Sequence, residues 1–162
     1  VATGEFKQVR FGPQGRVVMM RDGQHTRMVL PSGRSIWYRK AFNRVDSKNE
    51  KRVGQRLYLG KPGSAHTSYQ ETHGGKLTEN VTQAVARDVL FDLIRRITEL
   101  KSRGALSGEI VLHVHDEVVL EVPEDDAQET LRKVLALMKR PPKWAPGLPL
   151  AGEGTIMNYY GK

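Results

Sequence analysis

The chain has 162 residues, a length typical of one domain or a large part of one. Its 26 Lys and Arg residues outnumber its 18 Asp and Glu residues, and the net charge of +8 favours a polyanionic partner, most commonly nucleic acid. Cysteine is absent, which excludes disulfides and thiolate zinc sites.

No apolar run approaches the roughly 20 residues that a bilayer requires, so we expect an intracellular protein without a membrane partner. Because the chain begins at Val1 and not at Met, we expect a processed product or a piece of a longer protein.

Short β-prone runs separated by glycine-containing breaks fill the N-terminal part of the chain. The runs are RVVMM, RMVL and SIWYR, and the breaks are RDGQ and PSGR. Glycine in such breaks is typical of tight turns between paired strands. This pattern predicts small antiparallel hairpins in a basic segment, residues 1–72, whose polar stretch at 40–72 favours no particular element.

A long amphipathic helix is predicted next. The positions that share its main apolar face are Ala86, Leu90, Leu93, Ile97 and Leu100. They step by three or four residues, the spacing of one helical face. Thr78 is the expected N-cap and Gly104 the expected stop.

Two apolar runs of period two surround the segment HDE. They hold Ile110, Leu112 and Val114 before it, and Val118, Leu120 and Val122 after it. This alternation predicts a β-hairpin with Asp116 and Glu117 at its turn. Two-residue turns favour Asn-Gly or Asp-Gly because both central positions need positive φ. Two interpretations are open here: polar residues that cover an exposed hairpin end, or carboxylates that bind a hard divalent cation.

The C-terminal part returns to a helical pattern and then to an irregular tail. The expected buried stripe of this helix is Leu131, Val134, Leu135 and Met138. Trp144, Leu148 and Leu150 are expected to hold the Pro- and Gly-rich tail on the body, while Tyr159 and Tyr160 receive no role. The predicted fold class is α+β, an antiparallel sheet with a motif-bearing β-hairpin, packed by the long helix and the C-terminal helix. The expected division is into residues 1–72 and 73–162.

Four stretches carry a family resemblance. VHDEVVLEVP at 114–123 resembles the third sequence motif of family A DNA polymerases, the group of bacterial DNA polymerase I and many phage replicases. GGKLTENVTQAVARDVL is similar to the helix before that motif in phage members, and LPSGRSIWYR and WAPGLPL resemble their connecting hairpin and C-terminal segment. These stretches are spread over residues 27–162 in the family's order, and they imply the C-terminal, palm-domain part of such an enzyme.

The resemblance implies roles for individual residues. Asp116 is the expected metal ligand, Glu117 a second carboxylate near the metals, and His115 a catalytic residue beside the primer terminus. Gln83 matches a family glutamine that contacts the nascent base pair. Asn80, Gln83 and Arg87 form a polar stripe on the long helix, which is either solvated surface or a set of minor-groove contacts. They are the expected DNA-binding residues, although the family's usual polar position falls on Glu79 and not on Asn80.

Other parts that the family requires are missing. Two-metal phosphoryl transfer needs a second aspartate, which in this family lies in an Asp-Tyr-Ser-x-Ile-Glu-Leu-Arg motif that this sequence lacks. The fingers helix is missing as well. We therefore expect an inactive part of a DNA-directed DNA polymerase whose two-ion Mg²⁺ site is completed by an aspartate outside this chain. Its expected partners are primer–template DNA, dNTP and the remaining polymerase portion, which belongs either to the same parent chain or to a separate subunit of a split polymerase. Its expected location is the cytoplasm, that of the host for a phage protein.

Two alternatives remain open. One is a noncatalytic DNA-binding module that uses a basic run, formed by Arg39, Lys40, Arg44, Lys48, Lys51, Arg52 and Arg56. The other is a cupin-like metal enzyme built on His113, His115 and Glu117, since two histidines two apart on a strand point to the same side.

Overall fold

The computed structural model describes residues 8–23, 25–38, 42–45, 55–60 and 69–161. Its strands are Gln8–Phe11 (β1), Val17–Asp22 (β2), His25–Val29 (β3), Ser35–Tyr38 (β4), Phe42–Val45 (β5), Gln55–Gly60 (β6), Tyr69–Thr72 (β7), Glu109–Val114 (β8) and Glu117–Glu121 (β9). Its helices are Gly74–Ser102 (α1) and Ala127–Met138 (α2), with short 3₁₀ turns at Pro13–Gly15 and Glu124–Asp126. These elements confirm the α+β fold class.

The chain divides into two compact units, Val1–Val85 and Ala86–Lys162. This division falls inside α1, whereas the sequence pattern placed a boundary where that helix begins. No helix in the described ranges is both long and apolar enough to cross a bilayer.

The described residues of the first unit form two antiparallel sheets. β1 to β4 form a four-stranded meander in chain order, and β5 to β7 form a three-stranded sheet. Gly23 and Gly33, with φ of 58° and 89°, lie in the turns that follow β2 and β3, and glycine adopts such values without a Cβ penalty. The predicted hairpins are therefore confirmed. The side chains of the basic run at 39–56 lie outside the described residues.

α1 begins earlier than the sequence pattern predicted. Its first residue is Gly74, and the Thr78 hydroxyl donates a hydrogen bond to the Gly74 carbonyl oxygen at 3.0 Å. Thr78 therefore lies inside the helix, and its prediction as the N-cap was wrong. Threonine in a helix interior often bonds back to the carbonyl four residues earlier.

The end of α1 follows the prediction. Gly104 has φ of 68°, its N–H donates to the Lys101 carbonyl, and the Ala105 N–H donates to the Leu100 carbonyl. This pair of bonds is the Schellman arrangement, which satisfies the last carbonyls of a helix. Lys101 also forms an ion pair with Glu109 at the start of β8.

The second unit has its core where the hairpin β8–β9 packs on α1 and α2. Its buried residues are Leu90, Leu93, Ile97, Leu106 and Val134, and Ile110, Val118 and Leu120 of the hairpin pack against them. Ile97 is 0% exposed. A two-stranded hairpin is marginally stable in water by itself and needs such packing. Ala86, which the helical spacing placed on the apolar face, is exposed.

A register shift interrupts β8 between Ile110 and Leu112. Val111 is 54% exposed and Leu112 is 40% exposed. The strict alternation predicted for this strand is therefore wrong at Leu112, because one extra residue in a strand turns the following side chains.

α2 and the tail complete the second unit. Val134 is buried, and Leu131, Leu135 and Met138 are half-buried. The Arg96 guanidinium donates to the carbonyl oxygens of Arg140 and Pro141 at 2.7 and 3.1 Å, so it joins α1 to the end of α2. The tail residues Trp144, Leu148 and Leu150 are half-buried.

A side chain at Gly108, directly before β8, should lower the free energy of unfolding. Its φ is 90°, and a Cβ there would overlap the carbonyl oxygen of Glu121. Gly104 is the matched control because its φ is also positive and nothing lies near its missing Cβ. We expect Gly104→Ala to cost about 1–2 kcal/mol of unfolding free energy. Gly108→Ala should cost about 1–3 kcal/mol more. Urea unfolding of the chain measures both, and equal losses would contradict the close approach of β9.

The Glu129–Arg132 ion pair on α2 predicts a pH effect. The Arg132 guanidinium makes two hydrogen bonds to the Glu129 carboxylate, at 2.8 and 2.7 Å, and lowers the pKa of Glu129 from 4.5 to about 2. The pair therefore contributes stability above pH 4.5 that is lost as the pH falls through about 2. Because this ion pair is exposed to solvent, it contributes little to the free energy of unfolding. Glu129→Gln should lower the urea midpoint at pH 6, and the difference from wild type should shrink towards pH 3; a constant difference would exclude the ion pair as its cause.

Candidate functional site

The turn between β8 and β9 is centred on His115 and Asp116. Val114 pairs directly with Glu117, so Glu117 is the first residue of β9 and not a central turn residue. The sequence prediction that both acids occupy the turn is therefore correct for Asp116 alone. The strand register decides this, since it leaves two residues between the paired ones.

His115 has φ of 50°. Positive φ is uncommon for residues other than glycine, although histidine is among the types enriched there. Residues held in this region cost on the order of 1–3 kcal/mol, and they cluster at functional sites. The turn therefore carries a histidine where glycine would be favoured, next in sequence to Asp116.

The two carboxylates have different surroundings. Asp116 is exposed, and within the described residues its carboxylate has no hydrogen-bond or ion-pair partner. Glu117 is half-buried, and one of its oxygens, Oε2, accepts a hydrogen bond from the Tyr160 hydroxyl at 3.2 Å. The hairpin thus presents one open carboxylate and one oriented carboxylate at adjacent positions.

These donors suit a hard divalent cation. Magnesium prefers oxygen ligands and usually takes one or two carboxylates together with waters and substrate phosphates. Asp116 lies open to such a cation because no cation of the described residues pairs with it. In the described ranges no three His, Asp or Glu side chains converge as a metal-binding group. The acidic turn can therefore supply part of a ligand set.

The arrangement does not match the cupin-like alternative. His115 lies in the turn, where the alternation of strand side chains no longer holds. His113 is edge-on to Phe91, with ring centroids 5.4 Å apart and an interplanar angle of 71°. His113 is therefore packed against an aromatic ring. No cluster of His113, His115 and Glu117 is found in the described part of the chain.

Phe91 joins the helix to the hairpin in a way that the sequence analysis missed. The Arg87 guanidinium lies over the Phe91 ring, 4.6 Å from its centroid, and His113 contacts the same ring. Arginine over an aromatic face is a favourable cation–π arrangement. The i,i+4 spacing of Arg87 and Phe91 was the available signal.

The other helix residues predicted to bind DNA lie in the first unit. The Gln83 amide donates to Glu79 Oε1 at 3.1 Å on the exposed side of α1. Asn80 is half-buried, and its amide lies 3.5 Å from the Tyr38 hydroxyl, a long hydrogen bond. Arg34 donates to the Ala84 carbonyl at 2.9 Å and holds the same part of α1. Gln83 thus lies on an open surface, and Asn80 faces β4.

Comparisons with known proteins give one informative relative. No protein-family model matches the chain, and no solved structure matches it significantly. A curated DNA polymerase from Bacillus phage SP02 is 40% identical over 133 residues, covering 82% of this chain and 19% of that polymerase. The chain therefore spans less than a fifth of the length of this relative. As the sequence resemblance predicted, the chain is a relative of a phage DNA polymerase.

Proposed function

We propose that the chain is the C-terminal, palm-domain part of a family A DNA polymerase and takes part in template-directed DNA synthesis. The observation that carries the proposal is the exposed Asp116 carboxylate at the hairpin turn, next in sequence to His115, whose φ is 50°. The 40% identity to a phage DNA polymerase supports it. The expected location in the host cytoplasm is part of the same proposal.

Asp116 and Glu117 would hold magnesium in this proposal. Bound Mg²⁺ would neutralise charge on the phosphates of the incoming nucleotide and activate the primer hydroxyl. Asp116 offers a carboxylate with no competing cation among the described residues. Glu117 adds a second oxygen donor from the first position of β9. His115, exposed at the turn, would contact the primer terminus.

The long helix would contact the duplex. Gln83 is exposed and neutral, and its amide can donate to the minor-groove acceptors that every base pair presents in similar form. A polymerase needs such sequence-independent contacts. Arg87 is exposed and would contact phosphate, which agrees with the net charge of +8. The Asn80 amide, directed to Tyr38, would have to leave that contact to bind DNA.

The chain alone would be inactive. Two-metal nucleotidyl transfer needs a second aspartate, and the remaining polymerase portion would supply it together with the nucleotide-binding helix. Primer–template DNA and dNTP are substrates of that complete enzyme. A noncatalytic DNA-binding module would instead keep the duplex contacts without any dependence on Asp116.

Asp116→Ala tests the catalytic role in the complete polymerase that contains this chain. We expect nucleotide incorporation to fall by about 10³-fold or more, because a metal contributes several kcal/mol to transition-state stabilisation. Primer–template affinity should stay close to wild type. Single-turnover incorporation and fluorescence anisotropy measure the two quantities.

Asp125→Ala is the matched control because Asp125 is an exposed acid in a 3₁₀ turn outside the hairpin. It should leave incorporation unchanged. If Asp116→Ala retains incorporation, the metal role of Asp116 is refuted, and the noncatalytic module becomes the better account.

Gln83 and Arg87 should differ in the salt dependence of DNA binding. Gln83→Ala should weaken primer–template binding by about two- to tenfold, the value of one hydrogen bond, without changing the slope against salt concentration. Arg87→Ala should lower that slope by about 1, because one phosphate contact is lost. Anisotropy titrations of the complete polymerase at several salt concentrations measure both. Gln128→Ala on α2 is the control, and a Gln83→Ala effect no larger than that of Gln128→Ala would remove Gln83 from the interface.

A further inference from the structure

The C-terminal tail returns to the acidic turn. After α2 the described chain has no further helix or strand up to Gly161, yet Tyr160 places its hydroxyl 3.2 Å from Oε2 of Glu117. The two residues are 43 positions apart in sequence. The tail therefore brings a phenol hydroxyl to one of the two acids of the hairpin.

Close packing on α2 fixes the path of this tail at Gly152 and Gly154. A Cβ at Gly154 would lie 2.6 Å from Leu131 Cδ1, and one at Gly152 would lie 2.9 Å from atoms of the Met138 side chain. The backbone of the tail thus lies directly on the apolar stripe of α2. Residues 155–161, which carry Tyr160, are exposed, and the Tyr160 hydroxyl contacts the hairpin at Glu117.

The contact contributes little to folding. Tyr160 is 48% exposed, and exposed polar contacts of this kind contribute on the order of 1 kcal/mol or less. The effect of the contact on the orientation of the Glu117 carboxylate is separate from its effect on folding. A glutamate side chain has several rotatable bonds, whereas tyrosine has two and loses little entropy when it is held in place. One hydrogen bond from this phenol can therefore restrict where the Glu117 carboxylate points.

We propose that Tyr160 is a positioning residue, which holds the Glu117 carboxylate in the orientation that lets it assist Asp116 in cation binding. This inference depends on the proposed function of the acidic turn. It adds the tail to the machinery of the site, since a group donated from residues 152–161 sets the geometry of a carboxylate on β9. Neighbouring Tyr159 is 82% exposed and has no part in it.

Tyr160→Phe removes the hydroxyl and keeps the ring, and Tyr159→Phe is the matched control. In the complete polymerase bound to primer–template DNA, we expect Tyr160→Phe to weaken Mn²⁺ binding by about two- to tenfold, the value of one hydrogen bond. The Mg²⁺ concentration for half-maximal incorporation should rise by the same factor. Tyr159→Phe should change neither quantity. Calorimetric titration with Mn²⁺ gives a measurement that is independent of activity.

A double-mutant cycle tests whether Tyr160 acts through Glu117. In a Glu117→Ala background, Tyr160→Phe should have no further effect on Mn²⁺ affinity. An equal effect in both backgrounds, or equal behaviour of Tyr160→Phe and Tyr159→Phe, would overturn the inference. Asp116→Ala separates this failure from failure of the proposed function, because its loss of incorporation does not depend on Tyr160.

Discussion

The packing of the hairpin β8–β9 on the second half of α1 is the constraint on which the site depends. Two strands alone do not form a stable sheet in water. Ile110, Val118 and Leu120 therefore need the apolar surface around Ile97. Because that surface is buried, a slip of one residue would expose the strand residues that now lie in the core. The same packing thus fixes the register, and the register places His115 and Asp116 at the turn.

The ends of the hairpin are held by separate contacts. The Schellman arrangement at Gly104 ends α1, Lys101 pairs with Glu109, and Gly108 allows the chain to pass close to β9. At the other end, the turn places a histidine in a region of backbone conformation that glycine favours. A fold that specifies every other part of the hairpin can hold this strained residue, which is the usual setting of strained residues at functional sites.

Sequence patterns predicted the presence of the helices and strands better than the start of α1 and the irregularity in β8. The three- and four-residue steps of Leu90, Leu93 and Ile97 identified the buried face of α1, because helix geometry alone sets that spacing. The start of α1 was missed because a threonine that is suited to an N-cap can also lie inside a helix and bond back to the carbonyl four residues earlier, as Thr78 does to Gly74. The extra residue in β8 was missed because Val111 and Leu112 are both apolar, so local periodicity does not show that both lie outside the core.

The candidate site was likewise predicted only in part, because a local sequence pattern reports neither strand register nor contacts between distant residues. The acids at 116 and 117 were identified by their motif, and strand register then separated their positions. The Tyr160–Glu117 contact spans 43 residues, and no local pattern reports a contact between an irregular tail and a distant strand. Phe91 was missed because an aromatic residue on an amphipathic helix is ordinarily part of the core, whereas this ring lies between Arg87 and His113.

The most direct test of the account is the position of a metal in the complete polymerase. Crystals with primer–template DNA and a non-hydrolysable nucleotide, soaked in Mn²⁺, would locate the ion by its anomalous scattering. We predict a peak about 2.0–2.2 Å from a carboxylate oxygen of Asp116, the distance typical of small hard cations. A nucleotide-bound Mn²⁺ held by other carboxylates, with Asp116 turned to solvent, would contradict the account.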